Sequence, residues 1–347
     1  MSCPDVKRFT HLAIAFPLLH CTGSHTSDYC DTPMAKSKTS RSRAKSNSRK
    51  SKTASSTRKR KTTPTTTSSS TTSTNKLELE LPSKLPSLLV VGTFLNLWLL
   101  QRLNTFEGVP TEAQVPAVIF CVVNGFRCLF PNRYNGNVVL HDTTLSSIFL
   151  TRTLATAAEV AWIYQLGWYA REISQSSALI EPFGQNLVNA TAWSMVVLCM
   201  VAQGFVWLSL LLETVGLMWY EEACWAGIFV LNTGLNVVLL TSGAAGMAVG
   251  NRGVGVYISL LYAVPYLVFQ IVFHLPDLGR KGEGNVWSLM SLDQLRQGAT
   301  KALFARNPSS FASAWGGTVG LIWMTVYWVV LPLWPMYIAE QYQAYYR

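Results

Sequence analysis

Residues 145–173 read LSSIFLTRTLATAAEVAWIYQLGWYAREI, a run that suits lipid except that it holds two charges in its interior, Arg152 and Glu159, ahead of Arg171 and Glu172 at its end. A charge in hydrocarbon is costly and persists where it has a partner or a task. At 3.6 residues per turn the seven-residue step rotates a helix by roughly 700°, so both side chains leave the same side, about 10.5 Å apart along the axis. Thr156 lies between them on that side. Helical side chains lean toward the N-terminus, which brings Glu159 toward Arg152 but carries Arg152 away. A direct pair across that gap reads as strained, and each charge is expected to find its partner on another helix. Thr151, Thr153, Ala155, Ala157, Ala158 and Ala161 are small. Small residues let neighbouring helices approach closely in membrane bundles, so this helix is expected at the centre. The competing reading has Arg152 snorkelling to a headgroup and Glu159 as a neutral, hydrogen-bonded bundle residue.

The rest of the chain agrees with a lipid environment. Of 347 residues 49% are hydrophobic and 13% charged, and 12 Trp, 13 Tyr and 15 Phe are available for interfacial belts. This is the composition of an all-α, polytopic integral membrane protein. A bilayer core of about 30 Å takes roughly 20 helical residues. Seven segments meet or approach that length, at Leu85–Leu103, Val115–Phe130, Leu145–Ile173, Thr191–Leu212, Ala223–Leu240, Val254–Phe273 and Trp315–Ile338. The second is the least apolar because it carries Asn124 and Arg127, so a re-entrant or tilted path is open to it. Residues 285–306 alternate Trp287, Leu292, Leu295 and Leu303 with Asp293, Arg296, Lys301 and Arg306, the pattern of a helix lying on the membrane surface.

The basic excess is confined to one end. Residues 1–76 hold 15 Lys+Arg and 3 Asp+Glu, and residues 77–347 hold 13 and 15, so a +12 tail precedes a −2 body. The tail is Ser, Thr, Lys and Arg from Ala35 to Asn75, and too polar to bury a core, so it reads as disordered. It fits a cytoplasmic polybasic segment, an organelle-targeting segment or a nuclear-type basic signal, and its partners would be anionic lipid or an acidic protein surface. Nothing in the body suggests a nucleic-acid surface. With the N-terminus inside, Lys84, Arg133, Arg280, Lys281, Arg296, Lys301 and Arg306 fall on the inner side and Arg102, Arg171, Arg252 and Arg347 on the outer. That imbalance predicts a cytoplasmic N-terminus and an outer C-terminus.

Several chemistries are disfavoured. Seven cysteines show no CxxC and five histidines no HxxxH or HExxH, so no metal or cofactor is expected. The final span has no Lys for retinal, and the Asp-Arg-Tyr and Asn-Pro-x-x-Tyr motifs of seven-span receptors are missing. There is no GxSxG nucleophile.

In the predicted topology, polar residues gather at the inner ends of the spans. Arg127 closes the second, His141 and Asp142 precede the third, Glu213 closes the fourth, Glu221 and Glu222 open the fifth, and His274 and Asp277 close the sixth. Asp142 suits the N-cap of the third helix, and the two acids suit the positive end of the fifth. Glu159, Gln203, Asn232, Asn236 and Gln270 would continue a polar path outward. The pocket candidates are therefore Arg152, Glu159, Glu221, Glu222, His274, Arg127 and Asn232, with Glu221 or Glu222 expected to hold Arg152. Three functions compete: a carrier or small-ligand-binding protein with Glu159 coupling to protons, an integral-membrane enzyme acting on a lipid or isoprenoid, and a scaffold whose charges only lock helices together.

Overall fold

The structure, a computed structural model, describes residues 84–177, 179–214, 216–247, 252–281 and 291–346. The basic tail and the start of the expected surface helix lie outside the described residues. Helices account for nearly all of the rest: α1 (Lys84–Leu103), α2 (Thr111–Leu129), α3 (Ile148–Ser176), α4 (Pro182–Leu212), α5 (Gly216–Thr241), the single turn α6 (Ala244–Met247), α7 (Arg252–Phe269), α8 (Leu275–Lys281), α9 (Leu292–Phe304), α10 (Gly317–Thr325) and α11 (Leu333–Tyr346).

Among the described residues six helical stretches are long and apolar enough to cross a membrane: Pro86–Leu103, Thr111–Leu129, Pro182–Leu212, Gly216–Thr241, Gly253–Arg280 and Gly320–Gln343. Their outward sides are apolar, with Phe94 and Trp98 on α1, Val197 and Met200 on α4, and Leu261 and Phe273 on the α7–α8 stretch all exposed. Water would not tolerate so continuous an apolar surface, and lipid would. Six such helices are consistent with a multi-pass integral membrane protein.

α3 is the exception that organises the others. Its 29 residues span about 43 Å, but its charges and Gln165 lower its hydropathy below that of the six. It compensates by being covered with protein. Arg152, Ala155, Ala158, Glu159, Trp162, Gln165 and Leu166 are all buried, and Gln165 donates 2.6 Å to the Ala113 carbonyl of α2 and 2.9 Å to that of Pro335 in α11. α4 runs antiparallel beside it, since Thr156 meets Trp207 at one end and Arg171 meets Asn189 at the other. Between these contacts Gly167 lies on Ala192, where an added Cβ would stand 3.2 Å from both the Ala192 Cβ and its carbonyl oxygen. Of the small residues noted in the sequence, Thr151, Ala155 and Ala158 are buried, whereas Thr153 and Ala157 are exposed.

Two of the long stretches are interrupted by π turns, Gln270–His274 between α7 and α8 and Val326–Val330 between α10 and α11. The last span is therefore not the continuous helix that Trp315–Ile338 suggested. Pro332 explains it: proline has no N–H and its ring crowds the carbonyl four residues back, that of Trp328. That freed carbonyl accepts from Asn96 Nδ2 of α1 at 3.0 Å, which fastens the first span to the last. The second span, in contrast, is one helix from Thr111 to Leu129 despite Pro116 and Arg127.

One end of the bundle carries a small cap. Strands β1 (Asn132–Arg133), β2 (Val138–Val139) and β3 (Asn307–Pro308) form a sheet in that order, β1 antiparallel to β2 and β2 parallel to β3. The tight β1–β2 connection needs the left-handed backbone of Gly136, at φ 76°. α9 packs beside this sheet on α4, with Gly298 so close to the Leu211 carbonyl that a Cβ would stand 1.9 Å from it. Its buried stripe is Gly298 and Ala302, while Leu292, Leu303 and Phe304 point outward. Lys301 pairs with Glu213 at 2.7 Å and Arg306 with Asp142 at 2.8 Å. Asp142 is therefore not the cap of α3. A 3₁₀ turn over Thr144–Ser146 intervenes, and Ser147 takes the N-cap position.

Candidate functional site

The charges of α3 meet inside the bundle just below that cap. Arg152 Nη2 lies 2.9 Å from Glu159 Oε2, with the two residues 4% and 5% exposed. This corrects the expectation that α5 would supply the partner. The axial offset is real, but the long guanidinium arm folds back along α3 while Glu159 leans forward to meet it, as helix geometry requires of the acid. Gln203 of α4 locks the geometry, because its carbonyl oxygen accepts from Arg152 and from Thr156, the latter at 3.0 Å. Its amide nitrogen donates to Glu159 at 2.7 Å. The other oxygen of Glu159 accepts from the Tyr327 hydroxyl at 2.7 Å. Glu159 thus receives donors from three helical segments, and Tyr327 reaches it from within the second π turn. A π turn in a span commonly marks a functional position, because it rotates side chains out of helical register.

Tyr134, on the loop after α2, closes over Arg152, with its hydroxyl 3.4 Å from Nη1 and its ring 5.7 Å from the guanidinium carbon. Arg127, at the end of α2, lies 5.0 Å above the rings of both Tyr327 and Trp328. Such stacking stabilises a guanidinium, and no carboxylate pairs with it among the described residues.

These groups surround a half-enclosed cavity of about 190 Å³, lined by Arg127, Tyr134, Arg152, Glu159, Glu221 and Glu222 together with aromatic walls from α3, α5, α7 and α10. Five of the seven residues singled out in the sequence therefore converge. His274 reaches the group at second hand, 3.5 Å from Glu222 Oε1. Glu222 is also held by Gln270 Nε2 at 2.5 Å, and Gln270 belongs to the other π turn. Asn232 does not belong here. It bonds Ser259 at 2.9 Å, and Asn236 joins both, so these three tie α5 to α7.

The residues that sequence reasoning passed over are aromatic. Trp162, Trp225, Phe229, Tyr262, Tyr266 and Tyr327 line the cavity, yet in the sequence they read as interfacial belts. The available signal was depth: Tyr262, Tyr266 and Tyr327 each sit well inside a span, where a hydroxyl needs a partner. No group of three or more metal-ligating side chains occurs among the described residues. Compared with known proteins, the chain matches no protein-family model, no curated protein and no solved structure.

Proposed function

We propose that this protein binds a small molecule within the membrane as a carrier or ligand-binding protein, with α3 as a seventh crossing at its centre. The observation that carries the reading is the cavity itself: buried charges of both signs converge on space that protein atoms do not fill. A scaffold that uses charges only to lock helices has no need of such a space, and close packing would remove it. A cavity with apolar walls and a few convergent polar groups is the usual form of a ligand site. Continuity supports seven crossings. α3 is antiparallel to α4 along its length, and α4 is one of the six apolar spans, so the two share a depth. Seven crossings would place the chain termini on opposite sides, with the N-terminus cytoplasmic by the charge distribution.

Two measurements test this. Density maps of the protein purified in native lipid are expected to contain a non-protein feature between Arg152 and Glu221, and a cavity closed by side-chain collapse would refute the pocket. Tags at residue 1 and at Arg347 are expected to label from opposite sides, and same-side labelling would refute seven crossings.

A further inference from the structure

The charges around the cavity do not cancel pair by pair, and the remainder describes a ligand. Arg152 and Glu159 neutralise each other at 2.9 Å. Glu222 accepts from Gln270 and lies 3.5 Å from His274 Nε2, a countercharge only when the imidazole is protonated. Arg127 and Glu221 stand outside these contacts. Arg127, 8% exposed, has aromatic faces on one side and a buried Nε with no hydrogen-bond partner. Glu221, 7% exposed, has the indole of Trp225 as its neighbouring donor. Neither makes an ion pair among the described residues. They belong to different helices, α2 and α5, and the Arg152–Glu159 pair lines the cavity with them.

Each of the two has surroundings suited to one kind of guest. Beside Glu221, Trp225 and Phe229 follow on the same helix, and Phe229 packs on Tyr266 at 4.5 Å between ring centroids and on Trp162 at 6.1 Å. An acid set among aromatic faces is the environment that attracts an ammonium, because ring quadrupoles and the carboxylate act in the same direction. Arg127, backed by Tyr327 and Trp328, presents a fork for a carboxylate or phosphate. We propose that the cavity takes a small zwitterion, ammonium toward Glu221 and anion toward Arg127, in a site that rests on the pocket reading above. A volume of about 190 Å³ equals roughly six waters of liquid, which suits a compact molecule or a lipid headgroup. A free zwitterion and a zwitterionic phospholipid headgroup share this chemistry.

The test uses the full chain in phosphatidylglycerol nanodiscs, with calorimetric titration of glycine betaine, tetramethylammonium and acetate. Betaine is expected to bind about tenfold more tightly than either half-probe, the ratio that one retained charge contact of ordinary strength produces. Glu221→Gln is expected to weaken betaine about tenfold and leave acetate unchanged, and Arg127→Gln to weaken betaine likewise and leave tetramethylammonium unchanged. The wild-type ranking stands without either variant, so loss of folding in one does not remove the test. If betaine heats vanish when the nanodisc lipid is phosphatidylcholine, the headgroup is the occupant; if they persist, the free zwitterion is. Acetate equal to betaine, or Glu221→Gln without effect on betaine, would overturn the zwitterion. Density in the native-lipid map without betaine binding overturns the ligand class alone, whereas an empty, collapsed cavity overturns the pocket as well.

Discussion

Two buried polar clusters in this bundle solve the same problem in different ways. Between α5 and α7, Asn232, Asn236 and Ser259 satisfy one another through neutral hydrogen bonds of 2.9 to 3.1 Å, and none of them lines the cavity. Between α3, α4 and the π turn that follows α10, charged groups are bonded as densely, yet cavity remains beside them. Neutral amides stabilise helix association modestly and can close on themselves. Charges must be kept paired at high cost if separated, and retaining them beside open volume has no packing benefit. On the proposed reading the difference separates glue from a site, and variants in the two clusters should differ in size of effect, in rescue and in salt response.

The largest effect is expected from Arg152→Leu, which strands Glu159 in the bundle. Breaking a buried pair costs about 3 to 5 kcal/mol, which should appear as a large drop in thermal stability in detergent. Because the acid is Glu159 and not a residue of α5, adding Glu159→Gln should recover part of the loss, whereas adding Glu221→Gln should not. Rescue by Glu221→Gln would reverse the assignment of partners. Next comes Tyr327→Phe, which removes one of the three donors to Glu159. Leaving a buried acceptor short of a partner costs about 1 to 3 kcal/mol. A loss as large as that of Arg152→Leu would mean that the π turn itself, and not the hydroxyl, had failed.

The part of this architecture visible in the sequence was the part written in single residues. Arg152 and Glu159 announced themselves by being charged within an apolar run, and of the small residues noted on α3 Thr151, Ala155 and Ala158 are buried, while the close contact with α4 is made by Gly167, which had not been singled out. The partner of Arg152 was misjudged because side-chain direction at the Cα was extended to the whole arm, and an arginine is long enough to turn back. The aromatic lining stayed hidden for a different reason. A Trp or Tyr in a span has the same local signature whether it faces lipid, a neighbouring helix or a cavity, and only tertiary packing distinguishes the three. The π turns were invisible likewise, although Pro332 pointed to an interruption near Trp328.

In the neutral cluster, Asn232→Ala should cost only about 0.6 to 1.7 kcal/mol, the range of single interhelical hydrogen bonds in membranes. Ligand binding should be untouched, since Asn232 does not reach the cavity. If this variant abolishes binding while retaining stability, the polar path runs through α5 and the boundary between glue and site has been drawn in the wrong place.

The smallest effect is expected at the cap, and salt is the means of recognising it. Lys301 and Glu213 meet at 2.7 Å, as close as any pair inside the bundle, but their side chains are 51% and 43% exposed. Water screens an exposed pair and two long side chains lose freedom in forming it, so Lys301→Ala should cost at most about 1 kcal/mol. That loss should fade as salt rises, because at physiological ionic strength screening already acts over about 8 Å and shortens further above it. The loss in Arg152→Leu should change far less across the same salt series, since its pair is buried and is screened much less than an exposed one. If Lys301→Ala proves costly and insensitive to salt, its role is to hold α9 against Leu211 at the mouth of the bundle, and the cap would then share the energetics of the buried cluster rather than those of a solvated surface.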